Sequence, residues 1–178
     1  DKTRLDYLQQ LERSFPLGEQ GVGYAANQFL NAMVDVASHP GDSSARQVVL
    51  SRAGEAAARF NASAQQIETM QQGVNEDLRN SIASVNKLAQ NIAQTNQEIA
   101  KVIGLGHEPN QLLDKRDQLI ADLGQYIQVT TVPARDGTLG VFVGGGQRLV
   151  LGAEATQLKL MPDSYDSSRA AIGMVEVD

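Results

Sequence analysis

The chain has 178 residues, of which 42% are hydrophobic and 20% charged, with a formal charge of −6. The acidic balance excludes the basic footprint of a nucleic-acid binder and disfavours anionic membranes, and no apolar run approaches the roughly 20 residues that cross a bilayer. No cysteine is present, which removes disulfide frameworks, thiolate metal sites and thiol nucleophiles together; with no Trp and 4% aromatics, small and aliphatic residues must carry the packing, a composition suited to long, thin helical assemblies.

Leu5, Leu8 and Leu11 share one side of a helix over about residues 1–14. It opens without a capping residue, so the chain is expected to begin inside an element; its charged start is unlike a signal peptide. Phe15-Pro16-Leu17-Gly18, followed by Gly21 and Gly23, breaks this helix. A second helix is expected over 24–37, where Phe29, Leu30, Met33, Val34 and Ala37 recur at spacings of three and four before His39-Pro40-Gly41 ends it.

From Ser43 to Ile103 there is no Pro and the only glycines are Gly54 and Gly73. A mostly apolar series runs Val49, Ala53, Ala56, Phe60, Ala64, Ile67, Met70, Val74, Leu78, Ile82, Val85, Leu88, Ile92, Asn96, Ile99, Ile103. Its step of about 3.6 residues is the period of a straight helix rather than a strict heptad. The series predicts one helix of about 60 residues, ~90 Å at 1.5 Å per residue. Asp42 or Ser43 can cap its start, and Gly104 and Gly106 are placed to end it. Propensity alone does not hold so long a helix together. The neighbouring helices cover about half of its seam, and the rest is left for polypeptide outside this stretch. Asn96, the polar member of the series, is either a buried amide that sets register or a solvent-facing residue where the seam widens.

Pro109 stands where a first helical residue would, and Leu112, Leu113, Arg116, Leu119, Ile120, Leu123 and Ile127 continue an amphipathic face over about 109–126. At Gln128 the period changes to two. Strands are expected over 128–132, 139–143, 147–151, 156–161 and 171–177, with Asp136-Gly137 as a two-residue hairpin signal and Gly144-Gly145-Gly146 as a second turn. The last strand runs to Asp178 with no evident partner, so the sheet is expected to be cut. The fold class is α+β: an elongated helical bundle with one very long helix (about 43–103), followed by a truncated antiparallel β-meander. The expected division is a rod-like helical domain over 1–127 and the start of a β domain over 128–178.

The candidates for chemistry are few. A phosphate loop needs its glycines to open a helix, whereas Gly144-Gly145-Gly146 leads into the strand-like Gln147-Arg148-Leu149-Val150. His39 and His107 stand at helix boundaries with no second ligand four residues away, as exposed loop residues would. Glu108, Asp114 and Asp117 resemble paired carboxylates, but acids are favoured near a helix start, with Lys115 and Arg116 beside them; Arg116 is expected to pair with an acid on another helix. No catalytic residue, cofactor site or metal site is assigned. The residues singled out are structural: the seam Val49, Ala53, Ala56, Phe60, Ile67, Val74, Leu78, Ile82, Val85, Leu88, Ile92, Ile99 and Ile103, and the turn residues Asp136, Gly137, Gly144, Gly145 and Gly146.

Three blocks in order resemble the flagellar hook-associated protein 1 family, the first of the hook–filament junction proteins. They are Ala45-Arg46-Gln47-Val48-Val49-Leu50-Ser51-Arg52-Ala53 at the opening of the long helix, Asn110-Gln111-Leu112-Leu113-Asp114-Lys115-Arg116-Asp117-Gln118-Leu119, and the hairpins from Asp136-Gly137-Thr138-Leu139 through Val141-Phe142-Val143-Gly144-Gly145-Gly146-Gln147 to Leu149-Val150-Leu151-Gly152. The Phe29-Leu30-Asn31-Ala32-Met33 helix ending at Pro40 fits as well. The resemblance implies a structural subunit of the bacterial flagellum, needed for filament assembly, with no enzymatic activity and no cofactor. It implies export through the flagellar type III apparatus without a cleaved signal, an extracellular place in the flagellum, and a short ring of copies between the hook protein and the second junction protein. The family's terminal helical segments are not in this stretch; ring assembly needs them, and an export chaperone is expected on the C-terminal one. Freedom from disulfides is compatible with threading a narrow channel. Two other readings compete: a coiled-coil adaptor dimerising through residues 49–103, motivated by the Ala/Gln/Asn-rich seam, and a glycan-cleaving enzyme, motivated by acids such as Asp114.

Overall fold

The computed structural model describes residues 2–163, 165 and 170–175. Four helices, α1 (Lys2–Ser14), α2 (Val22–Ser38), α3 (Ser43–Gly104) and α4 (Asn110–Gly124), precede the strands β1 (Val129–Pro133), β2 (Leu139–Val143), β3 (Gln147–Leu151), β4 (Glu154–Ala155), β5 (Gln157–Pro162) and β6 (Ala170–Val175). Two compact units, Asp1–Val74 and Asn75–Asp178, part inside α3. The division expected at residues 127 and 128 is a change of secondary-structure type; packing divides the chain elsewhere, because the strands bury their apolar side chains on the second half of α3.

Asp42 caps α3: its Oδ1 accepts the Ser44 N–H at 2.8 Å, satisfying one of the donors a helix start leaves free. At the other end Gly106, at φ +80, donates to the Ile103 carbonyl at 2.9 Å, and His107 donates back to Val102 at 3.1 Å. This crossed pair is the left-handed glycine cap. Gly104 is still helical, so Gly106 alone carries the termination. Pro109 lies one residue before α4 and gives its carbonyl to the N–H groups of Leu112 and Leu113.

In the first unit, α1 ends at the buried Ser14, and the chain turns through a short 3-10 helix at Gly18–Gln20. Gly21 closes the corner by donating to Gly18 at 2.9 Å, and a Cβ there would strike the Pro16 carbonyl. Gly23, expected as part of the break, lies inside α2 because the turn is already complete at Gly21. Arg59 of α3 fastens the corner, donating to the carbonyls of Glu19 and Gly21 and to Glu55 Oε1 at 2.6 Å. The face expected on α2 is corrected as well. Ala25 and Ala32 are its buried residues, while Leu30, Met33, Val34 and Ala37 are exposed.

In the second unit, Ile82, Val85, Ala89, Ile92 and Ala93 of α3 form one core with Leu123 of α4, Val141 and Val143 of β2, Leu149 and Val150 of β3, and Leu158 of β5. Strands β1 to β4 make an antiparallel meander in sequence order, and β5 pairs with β6 in a separate two-stranded sheet. The last strand therefore has a partner, contrary to expectation, with Gln157 opposite Val175 and Pro162 opposite Ala170; the expected continuation through Glu176 and Val177 to Asp178, like Asp1 of the first helix, lies outside the described residues. A register shift between β2 and β3 puts Leu149 and Val150 in the core side by side.

The Asp136-Gly137 turn is longer than the two-residue form. Pro133 and Leu139 are the last paired residues, Ala134 donates to the Thr138 carbonyl at 2.9 Å, and Gly137 donates to Ala134 at 3.3 Å. Gly137 sits at φ +84, where a Cβ would also collide with the end of Ile103, so the position demands glycine twice over. Gly144, Gly145 and Gly146, all at positive φ, connect β2 to β3.

Candidate functional site

Three of the polar side chains that the fold withdraws from solvent, Asn96, Arg116 and Thr138, lie where α3, α4 and the first hairpin join. Asn96 is fully buried on α3. Its Nδ2 donates to the carbonyls of Leu139 at 2.8 Å and Gly152 at 2.9 Å, and its Oδ1 accepts the Leu139 N–H at 3.1 Å. A carboxamide that exchanges both bonds with one strand residue acts as a short length of neighbouring strand. Of the two roles open to Asn96, the buried one holds: it sets where β2 lies on the helix.

Arg116, 8% exposed on α4, completes the junction. Its Nη1 donates to the Gly137 carbonyl at 2.8 Å and to Asn96 Oδ1 at 3.3 Å. The acid partner expected for it is replaced by these neutral oxygens, because the hairpin brings its carbonyls to the point where α4 delivers the guanidinium; among the described residues no carboxylate pairs with Arg116, and its buried Nε has no partner. Two of the family-like blocks, 110–119 and 136–152, thus meet on one amide of α3.

A second clamp lies ten positions earlier. Asn86 Nδ2 donates to the Leu158 carbonyl at 2.9 Å and its Oδ1 accepts the Leu158 N–H at 2.8 Å, fixing β5 as Asn96 fixes β2. The seam series passes over Asn86, whose signal would have been an asparagine flanking a buried helix face opposite a strand.

Of the seam residues, Ala56, Ile82, Val85, Ile92 and Ile99 are buried, and Val49, Ala53, Ile67, Val74, Leu78 and Leu88 are partly buried. Phe60 and Ile103 are exposed at 55% and 41%, which corrects their expected place. Phe60 lies in the first unit, and Ile103, near the end of α3, has its side chain beside Gly137. Ala89 and Ala93, off the series, are buried because α4 and the strands together enclose a wider arc of α3 than one seam.

His39, His107, Glu108, Asp114 and Asp117 are all exposed, and among the described residues no three His, Asp or Glu side chains gather as a metal site would require. No helix among them is long and apolar enough to cross a membrane. The first unit carries an apolar groove of about 570 Å³ between α1 and α3, lined by Tyr7, Leu8, Leu11, Ile67, Met70 and Val74 with Arg4 at its edge.

These features define a class of fold in which buried amides and an arginine pin strands to a long helix. The model of the flagellar hook-associated protein FlgK helical domain matches residues 8–178, and the chain belongs to this family. Flagellar hook-associated protein 1 of Salmonella typhimurium is 27% identical over 176 residues, 98% of this chain and 32% of its own length, and that of Escherichia coli K12 matches to the same extent. The Bacillus subtilis protein of that name is 28% identical over 128 residues, 71% of this chain. Among solved structures, the flagellar hook junction protein FlgK from Burkholderia pseudomallei superposes with a TM-score of 0.81 at 32% identity, covering 94% of this chain and 29% of that one. The chain thus spans between a quarter and a third of the length of these relatives.

Proposed function

We propose that the chain is a load-bearing segment of a subunit at the hook–filament junction of the bacterial flagellum, needed for filament assembly and without catalysis or cofactor. The observation that carries this reading is the family match running through residues 8–178. The buried polar groups support it: Asn86, Asn96 and Arg116 are committed to backbone carbonyls and amides, which stiffens a fold. The whole subunit, exported through the flagellar type III apparatus, would sit outside the cell in a ring of copies between the hook protein and the second junction protein, with its export chaperone on polypeptide beyond these residues. The α1–α3 groove fits a further amphipathic helix from the remaining two thirds of the subunit. The helical stretch 1–127 and the strands from 128 would then be the two structural parts of one segment.

A homodimeric adaptor zipped through residues 49–103 would need the face of α3 that Val141, Leu149, Leu158 and Leu123 already occupy in the second unit. The test is deletion of residues 8–178 from the complete gene in the organism that carries it. Hooks lacking filaments, with filament subunits released into the medium, are expected; normal filaments would overturn the reading.

A further inference from the structure

The strands are held to α3 in two unequal ways. Those of the meander carry Val141, Leu149 and Val150, all fully buried, and are pinned by Asn96 and Arg116 together. The β5–β6 ribbon has a narrower attachment: the Leu158 side chain, with Leu160 and Met174 packed at its margin, and the paired hydrogen bonds of Asn86. Grooves flank that attachment on both sides. One, of about 500 Å³, runs beside Gln90, Gln94, Thr156 and Gln157; the other, of about 340 Å³, lies beside Ala83, Asn86, Lys159 and Leu160.

The chain passes from one sheet to the other within a single extended stretch. Glu154 and Ala155 pair with Leu151 and Val150 of β3, and the Thr156 N–H reaches the Leu149 carbonyl at 2.8 Å. From Gln157 onward the only strand partner among the described residues is β6. A two-stranded ribbon is marginal by itself and depends on what it packs against.

We infer that β5–β6 is a hinged flap, latched on α3 by Asn86 and able to open about Thr156 while the four-stranded sheet stays in place. Opening breaks two hydrogen bonds to one side chain and withdraws one fully packed leucine. It leaves the Asn96–Arg116 junction intact and uncovers the α3 surface around Ile82 and Val85, an apolar strip otherwise sealed. Segments with few buried contacts are those that open below the global unfolding limit.

Amide hydrogen exchange on the intact chain tests this. The hydrogen-bonded amides of β5 and β6 are expected to exchange at least about tenfold faster than those of Val141, Val143 and Val150 in the wild type. Asn86→Ala is expected to speed β5–β6 exchange about ten- to a hundredfold, the range for two lost hydrogen bonds, with β2 and β3 unchanged. Asn86→Asp, which sets a carboxylate oxygen against the Leu158 carbonyl where the amide donated, should speed that exchange at least as much as Asn86→Ala. One common rate for both sheets in the wild type, or equal acceleration of both by Asn86→Ala, would overturn the latch. The wild-type comparison decides by itself if neither variant folds.

Discussion

Along α3 the same apolar repeat runs past Val74 without interruption, yet its residues end in different surroundings on the two sides. Before Val74 only Ala56 of the repeat is buried, and Phe60 stands more than half exposed; after it Ile82, Val85, Ile92 and Ile99 are sealed under strands and α4. Helical periodicity therefore says where a helix wants a partner and nothing about whether this chain supplies it. The second unit closes its core from within, and polar clamps set its register. The first is fastened at its corner by Arg59 and leaves Leu5, Leu8, Phe15, Leu30, Val34 and Phe60 about half exposed or more.

The largest expected effect falls on the polar clamp. Asn96→Ala would leave the Leu139 N–H and carbonyl, the Gly152 carbonyl and the Arg116 guanidinium short of a partner in the interior. Each unsatisfied buried group costs about 1–3 kcal/mol, so a loss of about 3–5 kcal/mol is expected after partial relaxation. Urea unfolding followed by strand-sensitive circular dichroism measures it. A loss below about 1 kcal/mol would mean that the clamp is ornamental and that apolar burial alone distinguishes the second unit.

The apolar contrast can be tested on one helix with two substitutions. Ile92→Ala empties a fully enclosed site and is expected to cost about 2–5 kcal/mol. Phe60→Ala, larger in atoms removed, is expected to cost less than about 1 kcal/mol in this chain, because Phe60 is 55% exposed. The order should reverse in filament assembly by the complete subunit if remaining polypeptide covers Phe60. Equal costs for the two in the 178-residue chain would erase the distinction between the units.

Much of the fold was legible in the residues, and the reason differs by element. The bounds of α3 came within one residue at each end, because freedom from proline, an aspartate cap and a glycine stop are local signals. The strands followed from glycine turns and alternation. What stayed hidden depends on tertiary placement. Nothing beside Asn86 announces Leu158 seventy-two positions later, and Arg116 reads as half of an ion pair until the hairpin carbonyl of Gly137 arrives in its path. The brief β4 and the sheet switch at Thr156 were likewise missed, since two residues give no period to read. Ala89 and Ala93 were passed over because alanine on a helix looks the same whether buried or not.

The smallest effects are electrostatic, and they separate the units by cause. In the first, Arg52 and then Arg59 bond the Glu55 carboxylate at 2.9 and 2.6 Å and hold its pKa below the ordinary 4.5. In the second, the Thr138 hydroxyl and then the Thr138 N–H, at 2.7 and 3.0 Å from Asp136 Oδ1, hold that carboxyl below the ordinary 3.8. Both groups bind a proton less readily folded than unfolded, so each contributes stability that is complete above its ordinary value and is lost as pH falls through its lowered one. Salt distinguishes them. Charged partners at an exposed site are screened, whereas a neutral hydroxyl and amide are not. In an NMR titration repeated at low and at about 1 M salt, the Glu55 midpoint should climb toward the ordinary value while that of Asp136 holds its place. Thr138→Val should raise the Asp136 midpoint at either salt and leave Glu55 untouched. A salt-dependent Asp136 would mean that charge, rather than turn geometry, holds the first hairpin in its form.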